Sequence, residues 1–105
     1  DWRLVVSSSP LRMVEETYEL PNGTIQLKPL SKTIRLEGKG EMPTKTLLKK
    51  QAIDNKSIIL VEGNNSRGKY ELIFPENALE LLIDPTTAKR GKYEFTVTWD
   101  LISAP

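Results

Sequence analysis

Tyr93-Glu94-Phe95-Thr96-Val97-Thr98-Trp99-Asp100-Leu101 decides the fold class. Every odd position is large and apolar or aromatic, and every even one is polar, which is the period of a strand with one face buried. A slip of one residue would carry all five apolar side chains into water, so the pattern also fixes the register. Trp2-Arg3-Leu4-Val5-Val6-Ser7 follows the same logic, with Trp2, Leu4 and Val6 on one face. Further strands are expected over residues 13 to 20, 24 to 27, 33 to 37, 57 to 62, 69 to 74 and 79 to 83. Turn-forming residues separate them: Pro21-Asn22-Gly23, Gly38-Lys39-Gly40, Gly63 to Gly68 and Asp84-Pro85-Thr86-Thr87. Short strands at this spacing predict an all-β fold, an antiparallel β-sandwich that is immunoglobulin-like or barrel-like. Leu47 to Ile53 is the one segment whose apolar spacing also admits a short helix.

The 105 residues suit a single domain, 1 to 105. Fifteen Lys and Arg against fourteen Asp and Glu leave a net charge of +1, without the one-sided basic field that nucleic-acid binding requires. The longest apolar run, Ile58-Ile59-Leu60-Val61, is far short of the roughly 20 residues of a membrane helix. Neither a nucleic-acid partner nor a membrane span is expected.

His and Cys are both absent, which removes Ser-His-Asp and Cys-His catalysis, thiolate chemistry, disulfides and the usual zinc ligands. A glycosidase-like carboxylate pair, about 5 to 9 Å apart across a cleft, remains available on paper. The acidic residues mostly occupy polar strand positions or charge-mixed turns, where a solvated face explains them, so no enzyme, metal or cofactor is expected. Asn22-Gly23-Thr24, Asn55-Lys56-Ser57 and Asn64-Asn65-Ser66 match the glycosylation sequon by chance in Asn-rich turns. Lys49-Lys50 and Lys89-Arg90-Gly91-Lys92 are small basic clusters that suit a solvated face, or a weak contact with a polyanion.

Arg67-Gly68-Lys69-Tyr70-Glu71-Leu72 and Arg90-Gly91-Lys92-Tyr93-Glu94-Phe95 share five identical residues in order. Each reads as a Gly turn entering a strand whose Tyr packs at a sheet edge; the alternative is a paired Lys and Tyr surface for a sugar chain.

Two Trp-x-Leu tripeptides, Trp2-Arg3-Leu4 and Trp99-Asp100-Leu101, stand near the two ends. With the closing stretch Ala88 to Pro105, in which Tyr93 precedes Trp99 by six residues across alternating apolar positions, they resemble the WxL domain family of Gram-positive surface proteins. The turn and strand at Gly63 to Tyr70 and the apolar strand Leu79 to Pro85 are similar to the family as well. Family domains carry a further segment before the first tripeptide, which here begins at residue 2, so an N-terminal segment is expected to be missing.

The resemblance implies a secreted module on the bacterial cell surface that binds peptidoglycan non-covalently. It also implies partnership with WxL-interacting and sortase-anchored surface proteins; an adhesin-type domain docking such proteins is the alternative function. The candidate binding residues are Trp2, Leu4, Tyr93, Trp99 and Leu101. Two readings of the tripeptides stay open: inward-facing core residues of two strands, or aromatic walls of an exposed groove.

Overall fold

A computed structural model describes residues 1 to 103. Among them there is no helix, and every strand pairing is antiparallel. The strands are β1 (Trp2–Ser8), β2 (Arg12–Met13), β3 (Ile25–Leu27), β4 (Lys32–Glu37), β5 (Thr44–Lys45), β6 (Gln51–Ala52), β7 (Ile58–Gly63), β8 (Lys69–Ile73), β9 (Leu79–Leu81), β10 (Tyr93–Glu94) and β11 (Val97–Ser103). One sheet runs β11-β1-β7-β5. Opposite it, β6-β3-β9 and β4-β8 make a second layer. Backbone bonds from Lys28 N to Ala78 O and from Ser31 N to Ile73 O link the β3–β9 and β4–β8 ladders across Pro29 and Pro75. The arrangement is compatible with a β-sandwich and does not close into a barrel, because β11 and β5 end the first sheet unpaired on their outer sides.

The core forms where Val6 of β1 and Ile58, Leu60 and Val61 of β7 meet Ile25 and Leu27 of β3, with Leu11, Leu20, Leu30, Leu47 and Ile53 closing the ends. Leu60 and Val61 are adjacent in sequence yet both fully buried. Simple alternation forbids that; a bulge permits it. Leu4 pairs with Val61 and Val5 with Ile59, so Leu60 is the extra residue and the inward phase of β7 shifts by one.

Asp54 supplies the main buried polar anchor. Its carboxylate accepts the Gly23 and Ile25 amides at 2.9 and 3.0 Å, tying the Pro21-Asn22-Gly23 turn to the start of β3.

Three expectations change. The possible helix at Leu47 to Ile53 is an extended segment: Leu47 N donates to Leu60 O, Gln51–Ala52 pairs with β3, and Ile53 N donates to Ile25 O. Leu47 and Ile53 each reach the core along this extended path, so tertiary pairing outweighs local spacing. The single strand expected over 13 to 20 is a tight hairpin, with Met13 N bonded to Tyr18 O and Leu20 N to Leu11 O. Folding back buries Leu11 and Leu20 together and leaves the Glu15-Glu16 turn in water. Finally, Tyr93 to Leu101 is two strands. Beyond Ser9 the first strand turns through Pro10 into β2, which offers the chain a new partner. After Ser9 and Thr96 exchange their last bonds, Tyr93–Glu94 crosses to pair with β2.

Candidate functional site

Antiparallel pairing of β1 with β11 sets Leu4 opposite Leu101, Val6 opposite Trp99 and Trp2 opposite Ser103. Residues directly opposite share a face, so both tripeptides point the same way, toward the second layer. Their surroundings differ. Val6 at the centre of β1 is fully buried, and Trp2 and Leu4 pack against the core cluster. On the edge strand β11, Trp99 is 48% exposed and Leu101 68% exposed. The second layer closes fully under β1 and only partly under β11, where Phe74 meets Trp99 and the groove opens beneath Leu101, so a face with the pattern of a core stands half open to solvent.

Between the layers lies a groove of about 460 Å³ lined by Trp2, Leu4, Leu101 and Ser103 above and Gly68, Tyr70 and Leu72 below. Its lining is chiefly apolar. Trp99 extends the wall past the groove through Phe74, their ring centroids 5.6 Å apart at an interplanar angle of 57°.

Trp2 is held from three sides. Its indole Nε1 donates to Ser66 O at 3.1 Å, and its ring meets Tyr70 at 6.1 Å between centroids. The rest of the ring lies on Gly63, where an added Cβ would fall 2.3 Å from indole Cε2. Tyr70 is fixed in turn: its hydroxyl donates to Arg67 O at 3.0 Å, and the Arg35 guanidinium sits 5.5 Å from its ring centre. The β4–β8 ladder carries both of these residues, with Tyr70 opposite Arg35. Beyond it, Gly38 and Gly68 cross so closely, both at positive φ, that a Cβ on Gly38 would stand 2.6 Å from the Gly68 Cα. This crossing sets the floor of the groove.

The structure therefore brings together four of the five candidate residues: Trp2, Leu4 and Leu101 line the groove and Trp99 flanks it. Tyr93 stands apart in the β10–β2 pairing, where its hydroxyl donates to Lys89 O at 2.6 Å and receives the Lys89 amide. The shared hexapeptides do not make one Lys and Tyr surface: Tyr70 and Tyr93 lie in different sheets, and each clamps the turn that precedes its own strand. Sequence reasoning missed Leu72 and the Gly63 seat, and named Tyr70 only as half of a Lys and Tyr surface with Tyr93. The period-two row Tyr70, Leu72, Phe74 and a Gly at the end of the central strand were its signals.

Two carboxylates are displaced from ordinary behaviour. The Lys50 ammonium, bonded to Glu80 Oε1 at 2.8 Å and assisted by Lys28, holds the Glu80 carboxyl below its usual value. The Thr86 hydroxyl and amide do the same for Asp84 within its turn. Both are lowered, and neither lines the groove. No group of His, Cys, Asp and Glu among the described residues could hold a metal ion, and none of their elements is a helix long and apolar enough to cross a membrane. The chain matches no protein-family model, no curated protein and no solved structure.

Proposed function

We propose that this chain is a non-enzymatic binding module of the Gram-positive cell surface whose ligand is peptidoglycan. One observation carries the reading: Trp2, Leu4 and Leu101 of the two Trp-x-Leu tripeptides make the upper wall of one apolar groove, with Trp99 beside it, brought side by side by the β1–β11 pairing. The resemblance of those tripeptides and their context to WxL domains supplies the ligand class; the groove supplies a place for it. Flat, open clefts edged by half-exposed aromatic rings suit the apolar faces of sugar rings and the short side chains of stem peptides. Among the described residues, no Asp or Glu lines the groove, which favours binding over acid–base chemistry there.

Docking of WxL-interacting or sortase-anchored proteins is the competing reading, favoured by the unpaired outer edge of β11 beside the groove. Co-sedimentation with purified peptidoglycan, run beside pull-down with those proteins, separates the two. Binding to the wall that persists in high salt after teichoic acid removal is expected, because the groove is apolar. Capture by proteins alone would overturn the proposal.

A further inference from the structure

The outer edge of β11 is seven residues long and runs Val-Thr-Trp-Asp-Leu-Ile-Ser. Natural edge strands are usually shortened, bulged, or guarded by Lys or Pro, since an unpaired row of amides and carbonyls recruits another strand. This edge has no Lys, Pro or Gly, its pairing with β1 runs without a bulge, and Asp100 is its one charge. Trp99 and Leu101, both about half exposed or more, stand on it with no side chain beyond them on the same face.

The direction of the free backbone groups follows from the ladder. Ser8 pairs with Val97, and one step further Ser9 N donates to Thr96 O. In an antiparallel ladder hydrogen-bonded and non-hydrogen-bonded pairs alternate, so Thr96, Thr98, Asp100 and Ile102 turn their amides and carbonyls toward β1. Val97, Trp99, Leu101 and Ser103 turn theirs outward. An outward row at every second residue is met best by an antiparallel strand of the same period.

We infer that a second copy of this chain occupies the edge, β11 against β11 about a two-fold axis at Trp99. Two-fold pairing of like edges is self-complementary and closed, so it ends at a dimer. Axes at Thr98, Trp99, Asp100 and Leu101 all set the apolar face against itself, but an axis at Thr98 pairs only three residues of β11. An axis at Asp100 sets that carboxylate directly against its own copy, which is unfavourable. An axis at Leu101 pairs as many residues as one at Trp99 but sets Trp99 against Ser103 and Asp100 against Ile102. With the axis at Trp99, Trp99 meets its copy, Val97 meets Leu101, and the Thr98 hydroxyl faces the Asp100 carboxylate on both sides of the axis. The dimer continues the first sheet across eight strands and joins the two grooves beneath it. This inference stands whether or not the groove holds peptidoglycan.

Light scattering after size exclusion is expected to show the wild-type mass doubling as concentration rises. Leu101→Lys, at a site already 68% exposed, keeps the circular dichroism of the folded chain and halves that mass. The chain has no Cys, so the register can be read by oxidation. A mixture of Thr98→Cys and Asp100→Cys chains is expected to form a disulfide dimer, and either variant alone is not. A wild-type chain that stays monomeric, which would leave the edge to a strand of another protein, overturns the inference. So does a Leu101→Lys dimer, and a disulfide in Asp100→Cys alone overturns the register.

Discussion

Replacing each Trp by Ala separates the two tripeptides energetically. A wholly buried Trp removes about 200 Å² from water, worth about 5 kcal/mol at ~25 cal/mol/Å². Trp2 is partly buried, seated on Gly63 and bonded to Ser66 O, so its loss removes most of that area and one hydrogen bond. Trp2→Ala is expected to cost about 4 kcal/mol. Trp99 already leaves 48% of its surface in solvent, and its chief contact is the tilted Phe74 ring. Trp99→Ala should cost about 2.5 kcal/mol at most. With a urea slope near 2 kcal/mol/M for a chain of this size, the midpoint falls by about 2 M in the first variant and by little more than about 1 M in the second. Since a domain of this size is stable by roughly 5–15 kcal/mol, Trp2→Ala approaches unfolding while Trp99→Ala stays folded. Urea melts followed by circular dichroism make the comparison. Equal midpoint shifts, or a larger one for Trp99→Ala, would refute the division of labour between the inner and the edge tripeptide.

Gly63→Ala should push the indole of Trp2 off its seat, since the new Cβ would lie 2.3 Å from it; a loss of about 1 to 3 kcal/mol and altered Trp emission are expected, and unchanged emission would count against the contact. Asp54→Ala leaves the Gly23 and Ile25 amides without their acceptor and should cost about 2 to 4 kcal/mol, measurable in the same melts. The lowered Glu80 titration gives a signed pH effect: its ion pair with Lys50 and Lys28 stabilises the fold above the ordinary carboxylate range and is lost as pH falls through the lowered value. Glu80→Gln should therefore melt lower than wild type at neutral pH and together with it in acid; a gap that persists in acid would assign the effect to something other than the charge.

Much of this architecture was legible because period-two alternation survives tertiary context wherever a strand has one wet face. The strands at 33 to 37, 57 to 62 and 69 to 74 are found within a residue or so of their expected limits. Alternation failed where the chain changes sheet. Phe95-Thr96 continues the pattern of Tyr93 to Leu101 while the backbone leaves β1 after the Ser9–Thr96 bond and turns to β2, a change of partner that nothing inside the segment records. The pattern also marks which side chains point inward without revealing what lies opposite. Trp99 and Leu101 obey the register as expected and still stand largely in solvent, since Trp99 meets only the Phe74 ring and Leu101 hangs over the groove. For the same reason the tripeptides were legible as neighbours in kind, whereas the lower wall of Tyr70 and Leu72 required the fold.

The groove as ligand site is tested most directly on Trp99→Phe protein, in which Trp2, a residue of the groove wall, is the sole indole. Acrylamide quenching of its emission is measured with and without purified peptidoglycan fragments. The account predicts measurable quenching in the free protein and marked protection when fragments are bound. Binding that leaves the quenching of Trp2 unchanged would contradict it.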